Sequence, residues 1–357
     1  MTSRPLLNKL GLCKPTPLSL KQILQFSKDH RSKESVTKTA KFLSREVPVR
    51  LMRRYLDLNS KQDIVKYMRI ERLNESFLKC SEKIVDQKLE SWHDVQNFTE
   101  TLQEVERFII QEHQDALQTM HQRFVVDNPD RKLKLSHDAD AILDNIGLTM
   151  LGLRVLITQH DISFHNVNGD GNERGVDSVV TPDCNIGVLV NCAAEDTKAL
   201  SIDKNGDAPN VVIGGDLDSE VVCVEAHLHF ILREILKNSM GAMINNGTAD
   251  DHAINIRIAC KDEDLVIKVS DVGGGMSCEQ RDYLFRYFYS TAPVFQPTYT
   301  YSKNFGSMFE GFGVGLPNSR IYAKYMGGDV RIETLPGYGT EAYIHINRTG
   351  NAVGYVE

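Results

Sequence analysis

A strand pattern runs directly into a carboxylate and three glycines in Leu265-Val266-Ile267-Lys268-Val269-Ser270-Asp271-Val272-Gly273-Gly274-Gly275-Met276. The apolar, β-branched run 265–269 predicts a buried strand. Glycines let the backbone approach a flat ligand closely, and a carboxylate at the strand end can accept a hydrogen bond from an exocyclic amine. A tight acidic turn is the ordinary explanation for such a pattern, so this stretch alone leaves its role open.

A helix with one chemically distinctive turn precedes this strand. Apolar residues repeat every three or four positions across residues 219–246, which predicts a helical, amphipathic region. At about 100° per residue, Phe230, Glu234 and Asn238 lie on its polar side, with Glu234 and Asn238 one turn apart. A solvated face is the plain explanation for an isolated Glu/Asn pair, and the motifs that follow favour a functional one.

A second glycine run, Gly311-Phe312-Gly313-Val314-Gly315-Leu316-Pro317, opens a helix predicted from Asn318 to Met326. Backbone N–H groups and the helix dipole at such an N-terminus bind phosphate. No strand immediately precedes the run, which disfavours a Rossmann site. The chain also lacks GxxxxGK[ST], HRD and DFG, which excludes the P-loop and the ordinary protein-kinase apparatus. The segment 292–310, which is rich in Pro, Tyr, Ser and Gly, is predicted to be a lid over the ligand bound at these motifs.

Two regions of different periodicity divide the chain. From Leu18 to about His160 the pattern is helical almost throughout and predicts an all-α bundle of the four-helix type. Asn166–Arg174 is rich in Asn, Gly, Asp and Glu and predicts a linker. Beyond it, strand patterns alternate with helical ones, as in an α/β sandwich. The predicted fold class is therefore α+β, with domains at 17–165 and 175–350.

Composition narrows the possible partners and compartments. The chain has 357 residues and a net charge of -7, so it has no surplus of cations for a nucleic-acid backbone. Its longest uninterrupted apolar runs, such as 186–190, are far shorter than the roughly 18 residues of a membrane span. Residues 1–28 contain Lys and Arg but no Asp or Glu, which indicates a mitochondrial presequence at 1–16, with a frayed basic terminus as an equal alternative.

Four sequence boxes in a fixed order resemble the ATP site shared by histidine kinases, Hsp90-type chaperones and MutL, the GHKL or Bergerat type. They are Glu-x-x-x-Asn at 234–238, Asp-x-Gly-x-Gly at 271–275, Gly-x-Gly-x-Gly at 311–315, and Gly339-Thr340 before the last strand. The resemblance implies an α/β sandwich that binds ATP and Mg²⁺. It also implies that Asn238 holds Mg²⁺ on the triphosphate and that Asp271 reads the adenine amine.

The sequence around these four boxes is similar to that of the mitochondrial kinases of pyruvate dehydrogenase and of the branched-chain 2-oxo-acid dehydrogenase. The similar segments are 17–22, 42–50, 234–240, 289–293, 311–317, 322–329 and 337–343. This similarity covers nearly the whole chain. It implies a matrix protein-serine kinase that phosphorylates the E1 α subunit of pyruvate dehydrogenase, docks on the lipoyl domain of E2 and forms a homodimer.

The resemblance also assigns roles to individual residues. A serine hydroxyl is a poor nucleophile that needs a positioned carboxylate as base, and Glu234 matches that carboxylate. Asn238 matches the Mg²⁺ ligand, because a neutral amide suffices where phosphate oxygens supply the charge. The remaining residues expected at the nucleotide are Lys237, Gly241, Gly273, Gly275, Met276, Ser290, Thr291, Gly311, Phe312, Gly313, Val314, Gly315, Leu316 and Thr340.

Two positions depart from the family pattern and keep alternatives open. The pyruvate dehydrogenase kinases have a His four residues before the base, where this chain has Phe230, and branched-chain relatives have an aromatic residue there. The family arginine after the Lys-Asn-Ala-Met run is replaced by Gly241, so a guanidinium near the nucleotide is missing. The alternatives are a branched-chain dehydrogenase kinase, a non-catalytic ATP-binding scaffold on the complex, and a kinase that autophosphorylates on histidine.

Overall fold

The computed structural model describes residues 4–29, 32–85, 87–128, 130, 133–169, 177–289 and 312–352. Contacts divide the chain into two units. The first contains Gln22–Val179 and the segment before Ser19, and the second contains Ser19–Lys21 and Val180–Gly354. The division at Val180 follows the predicted linker by a few residues.

Long helices build the first unit, as the periodicity predicted. The elements are α1 (Arg4–Leu12), α2 (Leu20–Asp29), α3 (Lys33–Asn59), α4 (Gln62–Met68), α5 (Glu71–Val85), α6 (Trp92–His121), a π-helical turn (Gln122–Val126) and α7 (His137–Asn168). Of these, α3 packs against α1, α5 and α7, and α6 packs against α5 and α7. The long helices α3, α5, α6 and α7 correspond to the predicted bundle.

Serine side chains define where three of these helices begin. Ser32, Ser91 and Ser136 each accept a hydrogen bond from the backbone N–H three residues ahead, which satisfies a donor that the helix itself leaves free. At its other end, α7 continues to Asn168 and stops at Gly169 in the left-handed conformation. The first residues of the predicted linker are therefore helical.

The segment predicted as a presequence contains a helix that packs on the bundle. In α1, Leu7 is fully buried, and the helix lies against α3. Thr16 donates from its backbone N–H and its hydroxyl to Glu46, at 2.9 and 2.8 Å. Arg50 donates to Glu46 at 2.8 Å and to the Thr16 carbonyl at 2.9 Å. These bonds attach the segment to α3, and its role in import stays a prediction.

One helix is longer and more apolar than the short apolar runs of the sequence suggested. By length and composition alone α7 could cross a membrane, because an 18-residue window has a mean hydropathy of 1.5. A share of 61% of that window is buried inside the protein, which is what the central helix of a bundle shows. Scattered polar residues divide the apolar residues of α7 into short runs, but they lower the mean hydropathy of an 18-residue window only slightly.

The second unit is an α/β sandwich with a five-stranded mixed sheet. The elements are β1 (Thr181–Asn185), α8 (Ile186–Asn205), β2 (Asn210–Gly215), β3 (Glu220–Cys223), α9 (Glu225–Asn245), β4 (Ala253–Lys261), β5 (Asp264–Asp271), α10 (Cys278–Tyr283), α11 (Gly315–Tyr325), β6 (Asp329–Leu335) and β7 (Gly339–Asn347). The strand order in the sheet is β2-β4-β5-β7-β6, with β2 parallel to β4 and the other pairs antiparallel. Strands β1 and β3 form a separate antiparallel pair.

Helices α9 and α11 pack on each other and on this sheet. Alternate strand residues such as Ile256, Ile267 and Ile344 are buried, and α9 lies against β5 while α11 lies against β6 and β7.

Three boundaries of elements in this unit differ from the prediction. Residues 220–223 form β3 rather than the start of a helix, because they pair with β1. The last strand already includes Gly339 and Thr340, and α11 begins at Gly315, inside the glycine run.

Candidate active site

Helix α9 carries two of the predicted site residues, in different environments. Glu234 is buried, whereas Asn238 one turn later is exposed. Phe230 is also buried, with its ring centroid 4.9 Å from that of Tyr322 in an edge-to-face contact. The prediction of one shared polar face is therefore wrong for Phe230 and Glu234, because α11 covers that part of the helix.

Lys237 is the partner of the buried carboxylate. Its Nζ donates to both oxygens of Glu234, at 2.6 and 2.7 Å. The Glu234 side chain is 6% exposed and that of Lys237 is 34% exposed, so the ammonium reaches from the surface to a carboxylate inside. Burying a charge is costly unless it is paired and hydrogen-bonded. Lys237 thus supplies the partner that a buried carboxylate requires.

The N-terminus of α11 meets the same carboxylate. A β-carbon at Gly315 would collide with Oε2 of Glu234, so a larger residue here would have to push the carboxylate aside. Val314, the N-cap residue, provides no side-chain cap, and the first N–H groups of a helix lack partners within the helix. These donors lie beside Glu234, in the arrangement that binds phosphate at helix N-termini.

Asp271, at the end of β5, is a buried acceptor held in place by three donors. Its Oδ2 accepts from the Ser239 hydroxyl at 2.8 Å, and its Oδ1 accepts from the backbone N–H of Gly273 at 3.0 Å. Burial raises the pKa of Asp271, while the hydrogen bonds from Gly273, Ser239 and the Thr340 backbone act in the opposite direction. These three donors leave about one of the roughly four acceptor positions of the carboxylate for a ligand donor.

The glycine turn after Asp271 packs against the turn between β6 and β7. Gly275 has φ of 65°, and a β-carbon there would strike the Leu335 carbonyl, so the position requires glycine on both counts. Met276 donates from its backbone N–H to the Thr334 hydroxyl at 2.8 Å. Thr340 pairs with Asp271 in the β5–β7 register. Tertiary packing thus brings the second and fourth sequence boxes together.

The other predicted residues divide into three groups. The side chains of Phe312 and Val314 are buried, so only their backbone is available to phosphate. Gly241 faces open space, since a β-carbon there would have no atom within 4 Å. Ser290, Thr291, Gly311 and the predicted lid 292–310 lie outside the described residues.

The donor set suits ATP with Mg²⁺. Within the described ranges, the Asn238 side chain makes no hydrogen bond and is exposed, so its carbonyl oxygen is available to a hard cation. The same residues contain no cluster of three His, Cys, Asp or Glu side chains that could hold a metal by themselves. A cation here would therefore depend on phosphate oxygens for most of its ligands. Asp271 and the glycine turn offer the acceptor and the narrow walls that an adenine ring needs.

Two residues of the site went unnoticed at the sequence level. Ser239 orients Asp271, and Thr334 holds the glycine turn through Met276 while donating to the Gly339 carbonyl at 3.2 Å. Ser239 stands directly after Asn238, which was a local signal. Thr334 is 58 residues from the backbone group that it binds, so no local pattern identifies it.

Two family profiles match the chain, one in each unit. The profile described as mitochondrial branched-chain alpha-ketoacid dehydrogenase kinase matches residues 17–183. The profile described as histidine kinase-, DNA gyrase B- and HSP90-like ATPase matches residues 223–350. The second range contains every candidate site residue named above.

Curated proteins are similar to nearly the whole chain. A mitochondrial [pyruvate dehydrogenase (acetyl-transferring)] kinase of Arabidopsis thaliana is 32% identical over 97% of this chain and 94% of its own length. The corresponding kinase of Drosophila melanogaster is 30% identical over 93% of this chain and 81% of its own length. Isozyme 3 of this kinase from Homo sapiens is 30% identical over 93% of this chain and 82% of its own length. Both units and their order are thus shared with these relatives.

Proposed function

Because the chain belongs to the family of mitochondrial pyruvate dehydrogenase and branched-chain 2-oxo-acid dehydrogenase kinases, we propose that it is a protein-serine kinase of the pyruvate dehydrogenase complex. Its substrates are ATP and a serine of the E1 α subunit, and phosphorylation switches the complex off. The observation that carries the proposal is the buried Glu234, paired with Lys237, beside the uncapped N-terminus of α11. A protein that only binds nucleotide has no need of a base there.

Each side chain has a distinct task in this reaction. Glu234 accepts the proton of the serine hydroxyl as the serine oxygen attacks the γ-phosphorus of ATP, whose bond to the bridging oxygen breaks so that ADP leaves. The N–H groups at the start of α11 hold phosphate oxygens, and Asn238 holds Mg²⁺, which neutralises charge on the polyphosphate. Asp271 accepts a hydrogen bond from the adenine amine and thereby selects the base. Lys237 lies between Glu234 and solvent, where it can contact phosphate as well.

The relatives' names support the remaining assignments. They are mitochondrial kinases of pyruvate dehydrogenase, which supports placing this chain in mitochondria and, on the location of its substrate, in the matrix. Docking on the lipoyl domain of E2 through the helical unit, and assembly as a homodimer, complete the proposal.

Incubation with radiolabelled ATP and purified E1 tests this function. Label should appear as phosphoserine on E1 α. Glu234→Gln keeps the shape of the side chain but cannot accept the proton, so transfer should fall by roughly 10²- to 10⁴-fold while nucleotide binding persists. Glu341→Gln, in the exposed pair with Lys268, is the matched control and should keep its activity. Asn238→Ala should lose Mg-ATP binding in calorimetry, and near-normal transfer by Glu234→Gln would contradict the assignment.

A branched-chain 2-oxo-acid dehydrogenase kinase is the second candidate. The profile over residues 17–183 bears that description, and an aromatic residue stands one turn before the base at Phe230. Parallel assays with the two purified E1 proteins separate the candidates by which one is labelled. Label on neither E1, with ATP binding intact, would instead support the non-catalytic scaffold that the missing arginine at Gly241 suggests, and phosphohistidine on the chain itself would indicate autophosphorylation.

A further inference from the structure

Three arginines line one groove on the surface of the helical unit. The groove has a volume of about 470 Å³, and its lining includes Arg69, Arg72 and Arg123. A volume of this size accommodates a small molecule. None of the lining residues belongs to the candidate active site.

Arg123 is fixed in place without a counter-ion among the described residues. The carbon at the centre of its guanidinium lies 5.3 Å from the centroid of the Tyr67 ring and 5.8 Å from that of Phe124. Tyr67 is itself fixed, because its hydroxyl donates to the Lys134 carbonyl at 3.1 Å. The Nε atom of Arg123 is buried and finds no acceptor in the part of the chain that the structure describes. The two terminal nitrogens of Arg123 are not buried in this way and also make no hydrogen bond among the described residues, so their donors are open to the groove that Arg123 lines.

The other two arginines complete the groove in different ways. Arg72 donates from Nε and NH2 to one oxygen of the buried Glu112, at 3.0 and 2.7 Å, so the direction of its guanidinium is set. Arg69 ends α4 with φ of 57°, a conformation that is strained for a residue with a side chain. Strain of this kind is concentrated at ligand-binding positions. The Arg69 side chain is exposed and forms no ion pair within the described ranges.

Two carboxylates also line the groove, and Asp115 lies near enough for its charge to act on Arg72. Asp115 accepts from Gln111 at 2.8 Å, and Asp127 accepts from Gln122 at 2.8 Å. Neither forms an ion pair with an arginine of the groove in the described structure. The guanidiniums of Arg69 and Arg123 therefore keep their donors available, and a guanidinium matches the geometry of a phosphate or carboxylate group.

We propose that this groove binds a phosphate group, either as the free ion or as the phosphate ester of a small metabolite. The phosphate would accept hydrogen bonds from the terminal N–H groups of Arg123 and from the exposed guanidinium of Arg69, which lines the same groove. The π-helical turn Gln122–Val126 presents Arg123 at this point, and such turns are frequent at functional sites. The two nearby carboxylates would disfavour larger polyanions by repulsion. This site is independent of the proposed kinase chemistry.

The test follows the Nε–H resonances of arginine by NMR during titration of the full chain with inorganic phosphate. The Arg123 resonance should shift saturably, because its guanidinium gains an acceptor. Arg123→Gln and Arg69→Gln should each weaken phosphate binding by at least about ten-fold, as expected for loss of a charge-assisted bond. Arg45→Gln, at an exposed position of α3 outside the groove, is the control and should bind as the wild type does.

A second arm with glucose 6-phosphate distinguishes the two sources of phosphate. Tighter binding of the ester would identify a phosphorylated metabolite, and equal or weaker binding would identify the free ion. A shift that does not saturate, or equal weakening by Arg45→Gln, would overturn the proposal. Should Arg123→Gln unfold the helical unit, Arg69→Gln still decides, because the Arg69 side chain is exposed and makes no fold contact among the described residues.

Discussion

Removal of the Lys237 ammonium measures how strongly the buried carboxylate depends on it. In Lys237→Met, Glu234 keeps its burial and loses the ion pair and both hydrogen bonds, at 2.6 and 2.7 Å. Breaking a fully buried pair costs about 3–5 kcal/mol, because one charge remains uncompensated. Here the lysine is 34% exposed, and water can partly replace it. We therefore expect the free energy of unfolding to fall by about 2 kcal/mol.

The chain provides a matched control for this change. Lys268 bonds Glu341 at 2.8 Å and has nearly the same exposure as Lys237, at 33%, but its partner is 43% exposed rather than 6%. Pairs between such accessible groups contribute about 0–1 kcal/mol. Lys268→Met should therefore cost about 0.5 kcal/mol or less, and the difference between the two variants isolates the burial of the glutamate.

Urea unfolding at pH 7, followed by circular dichroism, measures both effects. The double variant Glu234→Gln, Lys237→Met should recover part of the loss, because it leaves no buried charge without a partner. Equal costs for Lys237→Met and Lys268→Met would show that the carboxylate does not need its cation. A double variant less stable than Lys237→Met would refute the reasoning as well, since removing the stranded charge should then have helped.

Three further changes test other contacts. Burial lowers the pKa of His113 to about 4, whereas a histidine in the unfolded chain has a pKa near 6.5 and therefore binds a proton first as the pH falls. The free energy of unfolding, measured in urea, should therefore drop by about 2 kcal/mol between pH 7.5 and pH 5. His113→Leu should remove this part of the pH dependence. Gly241→Ala should raise stability by about 1 kcal/mol through helix propensity, since its β-carbon would meet open space, whereas Gly187→Ala would place a β-carbon 2.5 Å from the Leu217 carbonyl and should destabilise. Thr16→Val removes a hydroxyl donor from a buried carboxylate and should cost about 1.5–3 kcal/mol, unlike the exposed Thr37→Val; equal thermal melting of the two would contradict the idea that α1 is anchored through Thr16.

Features that depend on neighbours along the chain were determined by the sequence alone. The helical period of the first unit, the strand ending at Asp271 and the glycines after it are all expressed within a few residues. Periodicity and turn chemistry act over that range, so both architectures and the order of the ATP boxes followed without coordinates. The serine caps and the long apolar stripe of α7 belong to the same class.

Contacts between distant segments were decided only by the tertiary structure. The helical pattern of α9 places Glu234 on a polar face, but α11, which begins about eighty residues later in the chain, covers that turn and buries the carboxylate that Lys237 pairs with. The local pattern of residues 220–223 predicts a helix, but in the structure they pair with β1 and form the backbone hydrogen bonds of a strand. Thr334 joins the site for the same reason. Burial and strand pairing are free-energy gains that exist only when the partner segment is present, and a local pattern does not contain that partner.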